Sequence, residues 1–179
     1  MSERGRLPLH DLPEGTARRL AELGGRPINL YRTLAGHPTL LDTWIEYAWG
    51  LRGASETPRG LRELVILRVA QMTNATYEWA AHVKMARTAG VSEDKIGALG
   101  RWREAPRFDG RERAALAYAE AMHFGHVDDP TFAAVRANFT DPEILELTLT
   151  ASTYLGLATL LEALRIPPEG APPGPKPEE

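Results

Sequence analysis

The 179-residue sequence predicts an all-α fold. Three observations carry that expectation. Apolar residues recur at helical spacing in one segment after another, and no run alternates apolar and polar as a half-buried strand would. Candidate helices open on Ser, Asp or Pro and close on Gly, as helix termini do. The segment from Leu61 to Gly90, LRELVILRVAQMTNATYEWAAHVKMARTAG, reads as two consecutive helices parted by a polar break at Thr73-Asn74. Its first half is apolar nearly all round, the mark of a central buried helix.

In chain order, residues 1–12 are polar and irregular and are expected to form an N-terminal arm. Residues 13–166 then form one helical domain. Pro13–Leu23 predicts a short helix stopped by Gly24-Gly25, and Ile28–Leu34 a further turn or two. Pro38 at a first helical position opens a helix with Leu40, Leu41, Trp44, Ile45 and Ala48 at core spacing; Trp44 and Trp49 are simplest as core or subunit contacts. Thr57 before Pro58 is placed as the N-cap of the helix carrying Glu63. The next helix spans about Ala75–Ala89 and ends at Gly90, and Ser92 caps a short one to Leu99. Trp102–Phe108 reads as a loop. Asp109 with Glu112 predicts a capping box for a helix to about Phe124. Asp129-Pro130 and Asp141-Pro142 start helices to about Asn138 and Leu164. The Pro-rich residues 167–179 form a tail expected to be disordered.

The stretch from Glu63, ELVILRVAQMTNATYEWAAHV, can be laid without a gap on ELTLTASTYLGLATLLEALRI from Glu146. That overlay predicts a degenerate repeat of one helix pair, with the second copy breaking at Gly156. The second copy has Leu161 opposite Glu78 and Arg165 opposite His82, so only the first keeps a polar site.

Composition excludes several function classes. A hydrophobic share of 43% and a charged share of 25% are ordinary for a globular chain of one domain. A net charge of -3 offers no bulk attraction to nucleic acid or to an anionic membrane surface. No uninterrupted apolar run approaches the roughly 18 residues of a spanning helix. The N-terminal segment lacks the apolar core of a signal peptide, so a cytoplasmic location is expected. Cysteine is absent, which removes disulfides, thiolate metal sites and thiol-based redox chemistry. Neither a phosphate-cradling Gly-rich loop nor a Gly-x-Ser-x-Gly nucleophile motif occurs.

The candidate site is Glu63, Glu78 and His82. Glu78 and His82 lie four residues apart and so share a helix face, and Glu63 reaches the same space if the two helices fold back on each other. Imidazole exchanges protons near neutrality, which makes His82 the candidate general acid/base. Glu78, one turn earlier, is expected to orient the imidazole. Glu63, set among aliphatic residues, is expected to be desolvated with a raised pKa, suited to donating or relaying a proton. The same trio is equally a satisfied polar network tying two helices together. As two carboxylates and one imidazole it is also a conceivable ligand set for a metal, though no metal or cofactor is expected. Tyr77 is a candidate substrate contact. Arg62 and Arg68 are candidates either for a bidentate contact with a substrate carboxylate or for pairing with surface acids, the second being the expectation, and His123 and His126 are expected to sit at a helix end.

At these residues the chain resembles the carboxymuconolactone decarboxylase family, which includes the alkylhydroperoxidase D-like proteins. RELVILRVAQMTNATYEWAAHV is similar to its signature helix pair, and the stretch from Gly110 to Leu164 to the C-terminal half of its shorter members. The resemblance implies an all-helical fold assembled as a homo-oligomer: a dimer, trimer or hexamer. In peroxidase-type members a Glu is followed by a Cys-x-x-Cys pair and then a His. Those positions fall on Glu63, Ala75, Glu78 and His82, so both redox positions are replaced while both proton-transfer positions remain. The resemblance therefore implies a cofactor-independent, decarboxylase-type lyase, or a related isomerase or hydrolase, acting on a small carboxylated lactone or similar acid. The alternative is a non-catalytic member that binds a small molecule or a protein.

Overall fold

The computed structural model describes residues 5–169, and every regular element among them is helical. Residues 1–4 of the expected arm and 170–179 of the expected tail lie outside the described residues. The helices are α1 (Glu14–Glu22), α2 (Asn29–Leu34), α3 (Pro38–Gly53), α4 (Arg59–Met72), α5 (Thr76–Thr88), α6 (Glu93–Ala98), α7 (Gly110–His123), α8 (Asp129–Asn138) and α9 (Asp141–Leu164), with a 3-10 turn at Leu99–Arg101. The chain divides into two compact units. One holds the residues up to Ala54 and those from Leu160; the other spans Ser55–Thr159.

In the first unit, Leu20, Leu30, Tyr31, Leu41 and Ile45 form the buried interior. Leu40 is exposed, so the inner stripe of α3 runs through Leu41 and Ile45 instead. Trp49 packs its ring 6.2 Å from that of Tyr31 and donates its indole N–H to the Leu23 carbonyl. The arm is anchored: the Arg6 backbone N–H donates to the Leu164 carbonyl and His10 to that of Arg32. The start of the tail is anchored as well. Ile166 is buried, and the Asn29 side chain donates to the Pro167 carbonyl.

The second unit is built around α4, in which every residue from Leu61 to Ala70 is buried. One face of α4, Leu61, Val65, Ile66 and Val69, packs with α7, α8 and α9 through Ala115, Val135, Leu147 and Ala151. The other face, Leu64, Leu67 and Ala70, packs with Trp79, Val83, Leu99 and Trp102. Apolar residues all round are what such a position demands. Asn74 ends α4 by taking a left-handed conformation (φ 53°), which short polar side chains tolerate, and α5 turns back along α4. At the far end the two helices approach closely, since a Cβ on Gly60 would lie 3.2 Å from the Ala89 carbonyl.

Three expectations are corrected here. Thr57 does not cap α4: Pro58 holds that position, while the Thr57 hydroxyl and the backbone N–H groups of Glu56 and Thr57 all donate to the Glu146 carboxylate. The internal repeat fails because α9 runs unbroken through Gly156. A glycine inside a helix costs only about 1 kcal/mol, which a packed 24-residue helix absorbs, whereas the left-handed Asn74 reverses the chain. Arg68 pairs not with a surface acid but with buried Glu120, to which Trp102 also donates. The capping box of α7 forms with both its hydrogen bonds. By length and composition α9 is apolar enough to cross a membrane, yet its residues Ile144, Leu147, Ala151 and Tyr154 are packed in the core of the second unit.

Candidate active site

Two consecutive helices and α9 supply the site. Arg59 and Glu63 lie one turn apart on α4, Glu78 and His82 one turn apart on α5, and Tyr154 comes from α9. The reversal at Asn74 sets Glu63 against His82, with Oε2 of Glu63 2.7 Å from Nδ1 of the imidazole. The Arg59 guanidinium forms an ion pair with the other carboxylate oxygen, Oε1. Tyr154 stacks edge-on against the imidazole, ring centroids 4.8 Å apart at 88°. Glu63, Glu78 and His82 are all buried.

The two carboxyl groups have opposite protonation behaviour. Burial pushes Glu63 up, but the hydrogen bond and charge of His82, with the Arg59 guanidinium, outweigh it and hold the group below the ordinary carboxylate value. A carboxylate only accepts, so Nδ1 of His82 is the donor. Glu78 is different. Neither of its oxygens has a hydrogen-bond partner among the described residues, and burial raises its pKa to about 8. The shift amounts to about 5 kcal/mol against the charged form, far above the roughly 0.3–1 kcal/mol by which the first turn of a helix favours an anion. Glu78 is a neutral acid at neutral pH.

The two carboxyls differ from expectation: Glu63, expected to have a raised pKa, is held low against the imidazole, and Glu78, expected to orient the imidazole, is the one that burial pushes up. Tyr77 is half-buried on α5; the ring packed on the imidazole is that of Tyr154. Arg59 and Tyr154 were not singled out. Arg59 had a signal, since Arg-x-x-x-Glu spacing places a cation one turn before Glu63. Tyr154 had none, because 72 residues separate it from His82 and only packing unites them. His123 is the last residue of α7, where the sequence puts it, and stands apart from the site with its ring on Phe124. Among the described residues no three His, Asp or Glu side chains are grouped to hold a metal ion.

The fold is shared with solved structures. An uncharacterised peroxidase-related protein from Silicibacter sp. TM1040 superposes with a TM-score of 0.79 over 92% of this chain and 90% of its own, at 21% identity. The debrominase Bmp8, in complex with 2,3,4-tribromopyrrole, superposes with a TM-score of 0.76 over 88% of this chain and 85% of its own, at 19% identity. These likenesses show a shared all-helical fold. The profile of the Carboxymuconolactone decarboxylase family matches residues 38–121, which contain Arg59, Glu63, Glu78 and His82. The uncharacterised protein YnjA of Escherichia coli (strain K12) is 34% identical over 125 residues, 68% of each chain. The chain belongs to the carboxymuconolactone decarboxylase family.

Proposed function

We propose that this chain is a cofactor-independent acid/base enzyme acting on a small carboxylated lactone or related acid. The observation that supports it is the divergence of two buried carboxyl groups on facing helices: Glu63 held low on Nδ1 of the imidazole, and Glu78, one turn before His82, pushed up by burial with no hydrogen-bond partner among the described residues. Pairs of titratable groups driven apart by their surroundings are the usual basis of acid/base assignment. In this reading Nε2 of His82 removes a proton from carbon beside a carbonyl, the C–H pair moves into the carbonyl π system, and Glu78 gives its proton to the oxygen. Return of a proton from His82 to a different carbon, with the oxygen's proton going back to Glu78 as the carbonyl re-forms, completes an isomerisation. Where the carbon beside the carbonyl carries a carboxylate, the C–C pair supplies the electrons instead, carbon dioxide leaves, the carbon takes up a proton as the carbonyl re-forms, and the site regains that one proton from solvent. The chain has no cysteine, so the thiol route to peroxide reduction has no nucleophile. The same reading takes the chain as a homo-oligomer. Exposed Leu145 and Leu149, one turn apart on α9, are suited to a subunit contact.

The test follows carbon-bound protons. Wild type incubated in D2O with a panel of lactones and β-keto acids should exchange hydrogen beside the carbonyl. His82→Gln should fold normally and slow that exchange about 100-fold or more. Binding of panel compounds without exchange or turnover would replace this reading with a non-catalytic binding protein.

A further inference from the structure

Arg59 connects the buried pair to the outside. Its side chain is 33% exposed, against 0% for Glu63 and 6% for His82, so Arg59 is the member of this chain of charges most open to solvent. Among the described residues only Nη2 is engaged: it pairs with Glu63 Oε1 and donates to Sδ of Met85 at 3.6 Å. No described residue accepts from Nε or Nη1. A guanidinium carries five N–H donors in one rigid plane, and its fork matches the two oxygens of a carboxylate. A lysine at this place would answer Glu63 as well but would leave no such fork.

The surroundings favour an anion there. Arg62 lies on the same helix, buried, and its charge is disfavoured first by burial and then by the neighbouring Arg59 guanidinium, with Glu146 and Glu63 acting against this. An incoming negative charge relieves the repulsion between the two cations. We propose that Arg59 is the anchor for the carboxylate of a small organic acid, which docks on Nε and Nη1 while Nη2 stays on Glu63. Ligand carboxylate, guanidinium and Glu63 then form one line of alternating charge that ends on the His82 imidazole. The inference rests on the acid/base reading for the fate of the ligand, and on geometry alone for its binding.

The probes are benzoate and its neutral counterpart benzamide. Binding to the full chain is followed by calorimetry and by the His82 imidazole resonances, with circular dichroism as the check on folding. Benzoate should bind wild type about tenfold more tightly than benzamide, the worth of a charge-assisted hydrogen bond. Arg59→Gln should bring that ratio close to one and leave benzamide binding unchanged. Arg59→Lys keeps a counter-charge for Glu63, so it serves if the Gln variant does not fold, and should lose most of the preference. Equal binding of the two probes by wild type, no binding of benzoate, or full preference in Arg59→Lys would each overturn the anchor. Absence of carbon-proton exchange in wild type counts against the acid/base reading alone, because the benzoate preference is read without turnover.

Discussion

Replacing Glu78 with Gln should make the protein more stable at neutral pH, although the site loses its acid. The native carboxyl lies at about 8 instead of the ordinary 4.5, because burial penalises the charged form. A carboxyl with a raised folded pKa keeps its proton after the unfolded chain has released it, so stability falls as pH rises through that window. The slope is about 1.4 kcal/mol per pH unit, giving about 3 kcal/mol at pH 7 and about 4 kcal/mol at pH 8. Glutamine has nearly the same shape and no proton to lose. The variant should match wild type near pH 4 and exceed it by those amounts at pH 7 and 8, in urea denaturation repeated across that range. Turnover should fall about 100-fold or more in the same protein, since the proton donor is gone. A stability difference that stays constant with pH, or a Gln variant weaker than wild type at pH 8, would refute the claim that burial keeps Glu78 neutral.

Glu63 has the opposite sign. Its carboxylate is held low, so its contribution is present above the ordinary carboxylate pKa and is lost as pH falls through the lower folded value. Glu63→Gln should cost about 2–3 kcal/mol at pH 7, less than a fully buried pair because Arg59 reaches water, and should remove that acid limb in acid-denaturation curves. Glu120→Ala should cost about 3–5 kcal/mol in thermal or denaturant unfolding, because it takes the carboxylate away from the buried Arg68 guanidinium and from the Trp102 N–H. The His82 imidazole resonances should not move in that variant, since Glu120 faces a different part of α4.

Much of the architecture was legible along the chain because its determinants are local. Asp109 and Glu112 specify a capping box with a spacing that only a helix start satisfies, and Gly90 ends α5 at φ 86°. The tight reversal at Asn74 follows from a short polar side chain after an apolar run. Where the reading failed, the deciding partner was distant. Thr57 looks like a cap until Glu146, 89 residues away, takes its hydroxyl. Arg68 looks like a surface cation until Glu120, 52 residues away, receives it in the core. Gly156 looks like a break because a glycine pattern says nothing about how well the surrounding helix is packed.

The candidate site divides in the same way. Four-residue spacing alone puts Glu78 and His82 on one helix face, and the missing cysteines alone remove thiol chemistry. Which carboxyl is charged was settled only by the folded chain. Protonation depends on how much water is removed and on which opposite charge lies within a few ångströms, and neither quantity is written in the order of residues. Arg59 and the imidazole reach Glu63 and leave Glu78 with burial alone, so two identical side chains became an anion and an acid.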